Sequence, residues 1–112
     1  MLTIQQKKDY KKIVIESLAY FRNRTFTSDI AQVDQVINHV REENLYVTDM
    51  PLISLGLNAA FCKYKMSSTA ISKSKSCSIQ DKEILIPYYR EMMNDTKYLL
   101  TKMNNDGTRF LQ

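Results

Sequence analysis

The chain has 112 residues, a formal net charge of +4, 44% apolar residues and 25% charged residues. A chain of this length forms one domain with a modest core, and the composition is that of an ordinary globular protein. Only two glycines and two prolines are present, which argues against a fold with many tight turns and favours long helices.

The first predicted helix runs from about Ile4 to Phe21, with Thr3 as its N-cap. Apolar side chains recur at three- and four-residue spacing, as on the buried face of an amphipathic helix. This stripe comprises Tyr10, Ile13 or Val14, Leu18 and Phe21. Four lysines lie largely off the stripe: Lys7, Lys8, Lys11 and Lys12.

The second predicted helix runs from Asp29 or Ile30 to Glu43. Ser28 and Asp29 are favoured caps, and Asp29 with Gln32 has the spacing of a capping box in an aspartate variant. This is the clearest amphipathic segment of the chain. Its buried stripe comprises Ile30, Val33, Ile37 and Val40, with Val36 beside it.

The third predicted helix begins after Asp49 as cap, with Pro51 in its first turn. Apolar residues from Leu52 to Cys62 cover most of its circumference, which predicts the most buried of the helices and a half-buried Cys62. Gly56 lies inside it and costs up to about 1 kcal/mol relative to alanine. We expect this glycine to let another helix approach closely.

A low-complexity segment follows at 66–78, with six serines and two lysines, Lys73 and Lys75. Serines compete for backbone hydrogen bonds, and few side chains here can be buried. We therefore predict a flexible, positively charged loop.

The fourth predicted helix begins near Ile79, with Ser78 as cap, and runs to about Met103. Pro87 removes one backbone hydrogen bond inside it, which predicts a kink or a break near Ile86. Gly107 suits the position after a helix end, and residues 108–112 are read as a short tail. Four amphipathic segments predict an all-α antiparallel four-helix bundle, with residues 1–112 as a single helical domain.

The sequence contains no recognisable nucleotide-binding, zinc-protease or nucleophile-elbow motif. Cys62, Cys77 and His39 do not form a metal-binding or disulfide pattern. His39 has Glu43 at helical i+4 spacing, but a partly exposed surface histidine is the simpler interpretation. We therefore expect a binding protein rather than an enzyme, with no cofactor and no metal.

Charge is unevenly distributed: +4 over residues 1–24, −4 over 25–62, +4 over 63–75 and zero over 76–112. Basic segments attract nucleic acid or an anionic membrane surface, and they are equally typical of solvated faces of a bundle. A small helical nucleic-acid-binding protein is one alternative, although an acidic second helix and an apolar third helix do not suit DNA recognition. A regulatory protein–protein interaction module is another alternative.

Two patterns in residues 28–64, SDIAQVDQVINHVREENLYVTDMPLISLGLNAAFCKY, resemble those of the immunity proteins of class IIa (pediocin-like) bacteriocins. Ser-Asp-Ile opens a helix with valines at core spacing. An acidic cap then precedes Pro51-Leu52-Ile53, with Phe61 and Tyr64 downstream. The resemblance covers about a third of the chain, and residues 79–112 agree only in their helical pattern.

The resemblance implies a cytoplasmic four-helix bundle that protects a bacteriocin-producing bacterium from its own pore-forming peptide. The resemblance implies binding, from the cytosolic side, to the complex of the bacteriocin with its receptor, which is a membrane sugar transporter. It implies neither catalysis nor a cofactor. We also expect peripheral contact with the inner face of the membrane. The resemblance places recognition on helix four, the Pro87 kink and the tail, and deletion of 106–112 should abolish protection while helicity remains. The expected partner-binding residues are Tyr88, Tyr89, Arg109, Phe110, Leu111, Lys73 and Lys75.

Overall fold

Among the residues that the structure describes, four α-helices and three short 3-10 helices account for most of the chain. The structure is a computed structural model and describes residues 2–111, without the side chains of Thr108 and Phe110. No strand occurs in this range, so the predicted all-α fold is confirmed. The antiparallel arrangement of the bundle stays a prediction. The α-helices are α1 (Ile4–Arg22), α2 (Ile30–Arg41), α3 (Met50–Lys73) and α4 (Ile79–Asp106).

Two helix starts follow local chemistry and are confirmed. The Thr3 hydroxyl accepts a hydrogen bond from the Gln6 N–H (3.1 Å), and the Thr3 N–H donates to the Gln6 side chain (3.0 Å). At α4 the Ser78 hydroxyl accepts from the Asp81 N–H (3.1 Å). Both contacts satisfy N–H groups that have no partner within the first turn of a helix.

The predicted capping box at Asp29 is wrong, and α2 is shorter than predicted. A 3-10 helix, Thr27–Asp29, leads into α2, and Asp29 makes no side-chain cap. At the other end Glu43 has a positive φ of 56°. The Glu43 N–H donates to the Val40 carbonyl (3.2 Å) and the Asn44 N–H to the His39 carbonyl (3.0 Å). This Schellman arrangement ends α2 at Arg41.

The predicted flexible loop 66–78 is wrong over its first eight residues, because α3 continues to Lys73 and only 74–78 connects it to α4. The reason is tertiary packing, which outweighs the low helix propensity of serine. The rings of Tyr64 and Tyr89 lie 6.2 Å apart, and the Lys82 ammonium donates to the Ser72 carbonyl (3.4 Å). Contacts with α4 therefore extend along α3 to its last turn.

The core lies where the first part of α3 and the last part of α4 pack against α1 and α2. Gly56 is buried, and a Cβ placed on it would lie 3.1 Å from Cδ2 and 3.4 Å from Cα of Leu18, so the predicted close approach is confirmed. Leu55 is 50% exposed and Cys62 is exposed, so α3 is less buried than predicted. The buried apolar residues include Val14, Leu18, Val33, Val36, Ile37, Val40, Leu45, Ile53, Leu57, Leu99, Met103 and Leu111.

Helix α4 differs from the prediction at Pro87 and at its C-terminal end. The helix is continuous through Pro87 to Asp106, which excludes the predicted break and leaves the kink as a prediction. Gly107 then adopts a φ of +64° and donates its N–H to the Met103 carbonyl. Residues Gly107–Leu111 form a 3-10 helix rather than a free tail, and Leu111 enters the core.

Within the described residues, no helix has the length and apolar character needed to cross a bilayer.

A contact between α1 and α4 lies at the edge of the core and places a carboxylate in a partly buried position. The rings of Tyr10 and Tyr98 lie 5.4 Å apart. Burial, then the neighbouring charge of Glu91, raises the pKa of Asp95. Burial, then Tyr98 and the charge of Asp95, likewise raises the pKa of Tyr10. Ionised Asp95 is thus disfavoured by its folded surroundings.

We expect Asp95→Asn to make the protein more stable at neutral pH. An aspartate in the unfolded chain titrates near pH 4. Folding raises the pKa of Asp95, so the protonated side chain contributes to the stability of the folded protein. This stability is fully present below about pH 4 and is lost as the pH rises through the folded pKa. The variant's gain in urea midpoint should therefore be largest at pH 7 and vanish near pH 3.

The control for Asp95→Asn is Asp81→Asn in the same helix. Asp81 lies in the first turn of α4, where a negative charge interacts favourably with the helix dipole. The control should therefore lower stability at pH 7. If the urea midpoint of Asp95→Asn at neutral pH lies at or below that of the wild type, ionised Asp95 does not destabilise the fold and the prediction is wrong.

Candidate partner-binding surface

The half of the α3–α4 pair that lies beyond the core has an open structure. None of the residues 61–95 is fully buried, whereas the same helices contribute Ala60 and Thr96 to the interior just outside that range. The two helices contact each other here, and α1 reaches only the base of this half, where Tyr20 lies against Lys63. Large apolar side chains are left in solvent, with Met66 at 72% and Ile84 at 70% exposure. This half of the pair is called the projecting hairpin.

A row of tyrosines crosses the base of the projecting hairpin. The ring of Tyr89 lies 6.2 Å from that of Tyr64 and 5.4 Å from that of Tyr88, measured between centroids. The Lys63 ammonium lies 5.6 Å from the Tyr64 ring and 4.6 Å from the Tyr20 ring. Side chains of α1, α3 and α4 are thereby joined. This tyrosine surface comprises Tyr20, Lys63, Tyr64, Tyr88 and Tyr89, with Arg24 at its edge.

Two cations lie against the same ring of the tyrosine surface. The Arg24 guanidinium carbon is 3.7 Å from the centroid of Tyr20, and its Nη1 donates to the Tyr20 carbonyl (3.3 Å). Among the described residues, neither Arg24 nor Lys63 belongs to a salt bridge. Their contacts with Tyr20 are cation–π contacts, which orient the charges without neutralising them. Positive charge is therefore available to a partner at this edge.

The phenol of Tyr64 on the tyrosine surface is available to a partner as a hydrogen-bond donor. Burial, then the proximity of Tyr88, Glu16 and Tyr89, raises the pKa of Tyr64 above the ordinary value of 10.0. Tyr64 therefore keeps its proton throughout the neutral range. Phenols, an ammonium and a guanidinium together favour a partner that offers carboxylates or carbonyls beside apolar area. Within the described residues, no three His, Cys, Asp or Glu side chains are placed to hold a metal ion.

The residues predicted to bind a partner do not form one site. Tyr88 and Tyr89 belong to the tyrosine surface, whereas Lys73 and Lys75 lie at the far end of the projecting hairpin and are exposed. Arg109 is exposed in the C-terminal 3-10 helix, about 30 Å along α4 from Tyr88 at 1.5 Å per residue.

The prediction that Leu111 contacts a partner is wrong, because this side chain is 1% exposed and lies in the core. Its burial removes it from any surface that a partner could contact in this fold. Phe110 was also predicted to bind a partner, and its side chain lies outside the described part of the structure. Among the described side chains of the tail, Arg109 is the predicted residue that is exposed.

A second cluster, which the sequence patterns did not predict, closes the turn between α2 and α3. Nδ1 of His39 lies 2.9 and 3.0 Å from the two carboxylate oxygens of Asp49, and the Tyr46 N–H donates to the same carboxylate (2.9 Å). Asp49 is 4% exposed and makes no side-chain cap on α3, which corrects its predicted role. Glu43, the predicted neighbour of His39, instead pairs with Lys11. The cluster holds the turn together.

Other features of the tyrosine surface were also missed. Tyr20 and Lys63 are 43 positions apart in the sequence, so no helical spacing connects them.

Comparisons with family models, curated proteins and solved structures find no match to this chain. These comparisons neither support nor oppose the resemblance of residues 28–64.

Proposed function

We propose that this chain is a bacteriocin immunity protein of the class IIa type, which protects by binding and not by catalysis. Its partner on this proposal is the membrane sugar transporter that the bacteriocin has engaged, reached from the cytosolic side. The observation that carries the binding role is the tyrosine surface, with two cations that no described acid neutralises. The all-α fold agrees with the resemblance of residues 28–64.

The tyrosine surface has the composition of a protein-binding centre. Tyrosine and arginine are enriched among the residues that dominate binding energy at interfaces, because they combine large contact area with hydrogen bonding. Tyr88 is 49% exposed and is backed edge-on by the half-buried Tyr89. A tyrosine that is already supported loses little freedom when a partner covers it. Tyr88 is therefore the proposed anchor.

The role of the tail in this proposal is structural. Since Leu111 is part of the core, residues 107–111 hold the end of α4 against the body of the protein. Deletion of 106–112 would remove a core side chain together with the exposed Arg109. Loss of protection after that deletion would therefore not distinguish recognition from unfolding.

The test is a protection assay in a bacteriocin-sensitive Gram-positive strain that expresses the chain, challenged with a panel of class IIa peptides. We expect selective resistance to one or a few peptides. Tyr88→Ala should weaken partner binding about 30-fold, as expected for an interface residue that contributes about 2 kcal/mol. Protection should fall accordingly, with unchanged expression and helicity.

The matched control is Tyr98→Ala, the same substitution on the same helix. Tyr98 is 38% exposed and contacts Tyr10, outside the tyrosine surface. It should keep protection near the wild-type level. Sensitivity to every peptide in the panel, with expression confirmed, would reject the immunity function. A protecting chain that is unaffected by Tyr88→Ala would reject the tyrosine surface as its binding site.

A further inference from the structure

The far end of the projecting hairpin combines positive charge with an exposed apolar side chain. This hairpin tip comprises Lys73, the connector 74–78, Ile79 and Lys82. Ile79 opens α4 and is 76% exposed. The Lys82 ammonium donates to the Ser72 carbonyl (3.4 Å), which places its charge beside the last turn of α3. The tip is thus a defined part of the fold.

The connector is organised by its own side chains. The Ser74 hydroxyl accepts a hydrogen bond from the Cys77 N–H (3.2 Å) and lies 3.1 Å from the Ser76 hydroxyl. The Ser74 N–H donates to the Ile71 carbonyl (3.2 Å). Lys75 is exposed in the middle of this turn. The lysines on either side of the turn are therefore held at one end of the molecule.

We propose that the hairpin tip docks on the surface of an anionic lipid bilayer, with its lysines at the headgroups and Ile79 in the interface. Charge complementarity favours this occupant, since residues 73–82 carry three lysines, Lys73, Lys75 and Lys82, against one acid, Asp81. Among the described residues, none of these lysines belongs to a salt bridge. Each lysine near an anionic surface raises the partition coefficient about fivefold.

The exposed isoleucine distinguishes a bilayer from other anionic partners. Nucleic acid would neutralise the lysines but would leave the Ile79 side chain in water. A bilayer offers an anionic headgroup layer and an apolar layer directly beneath it, which matches lysines that flank an isoleucine. With few lysines and one apolar side chain the attachment is weak and reversible.

Docking by the tip has a geometric consequence for the tyrosine surface. Tyr64 lies nine residues before Lys73 on α3, which is about 14 Å at the rise of an α-helix. The tyrosine surface would then lie close to the membrane, within reach of the cytosolic side of a membrane protein. The inference goes beyond the proposed function, because lipid binding needs neither bacteriocin nor receptor.

The test measures co-sedimentation of the purified full chain with two kinds of vesicle. One kind is phosphatidylcholine alone, and the other is phosphatidylcholine and phosphatidylglycerol in equal parts. We expect binding only to the anionic vesicles, and weaker binding as salt is raised. Lys73→Gln with Lys75→Gln should lower the partition coefficient about 25-fold, at fivefold per lysine. Ile79→Ser should lower it by about fivefold without a change of charge.

The matched control is Lys8→Gln with Lys12→Gln, which removes the same charge from exposed positions on α1. It should leave most of the binding intact. An equal loss in this control would show attraction by net charge alone and would overturn docking by the tip. The proposal also fails if anionic vesicles do not bind the chain at low salt, or if Ile79→Ser binds like the wild type while circular dichroism shows both folded.

Discussion

Replacing Asp49 by alanine is expected to lower the free energy of unfolding by about 3 to 5 kcal/mol. The Asp49 carboxylate is almost fully buried, and it contacts both His39 Nδ1 and the Tyr46 N–H. Truncating it leaves the His39 Nδ1 and the Tyr46 N–H without their hydrogen-bond partner, and each hydrogen bond to a charged group contributes about 1.5 to 3 kcal/mol. The His39 ring also packs edge-on against Tyr46 (4.9 Å between centroids), so the whole turn between α2 and α3 should loosen.

The control for Asp49→Ala is Asp34→Ala. Asp34 accepts a hydrogen bond from Arg22 Nε at 2.6 Å, but the two side chains are 46% and 40% exposed. Because water replaces an exposed ion pair readily, this change should cost less than about 1 kcal/mol. Urea denaturation followed by circular dichroism measures both. Equal losses in the two variants would show that the His39–Asp49 contact adds no more stability than a surface pair.

Replacing Leu111 by alanine is expected to cost about 2 to 5 kcal/mol of unfolding free energy. Leu111 is 1% exposed and lies in the same core as Leu18, Leu99 and Met103. Truncating a fully buried leucine removes apolar contact and leaves a cavity, which is the source of this cost. The C-terminal 3-10 helix should also detach more easily from the end of α4, because Leu111 is the buried residue among its described side chains.

Leu55→Ala provides the matched comparison for Leu111→Ala, since it is the same substitution at a residue that is 50% exposed. It should cost less than about 1 kcal/mol, as the leucine keeps much of its contact with water in the folded state. The two variants can be compared by thermal and urea unfolding. If Leu111→Ala unfolds at the same midpoint as Leu55→Ala, the tail is not part of the core, and its predicted role in recognition regains support.

Local chemistry explains why several elements could be predicted from the sequence. Thr3 and Ser78 cap helices through hydrogen bonds that span only three residues. The valines of α2 repeat at helical spacing, and they are buried on one face. Gly107 has the positive φ that glycine adopts most readily. Each of these features depends on neighbours within one or two turns, so its cause is visible in a short stretch of sequence.

Tertiary contacts decided the features on which the proposed function depends. The serine-rich end of α3 is helical because α4 packs along it, although the local sequence favours a loop. Leu111 is buried because Gly107 and the turn after it lead the chain into the core.

The amino-acid sequence by itself determined the helical class, the caps at Thr3 and Ser78 and the amphipathic face of α2, since these follow from periodicity and from bonds between near neighbours. The tertiary structure alone decided that Tyr20 and Lys63 meet and that His39 meets Asp49. Such contacts depend on how helices lie against one another. That arrangement is set by the packing of the whole core, which no short segment of sequence contains.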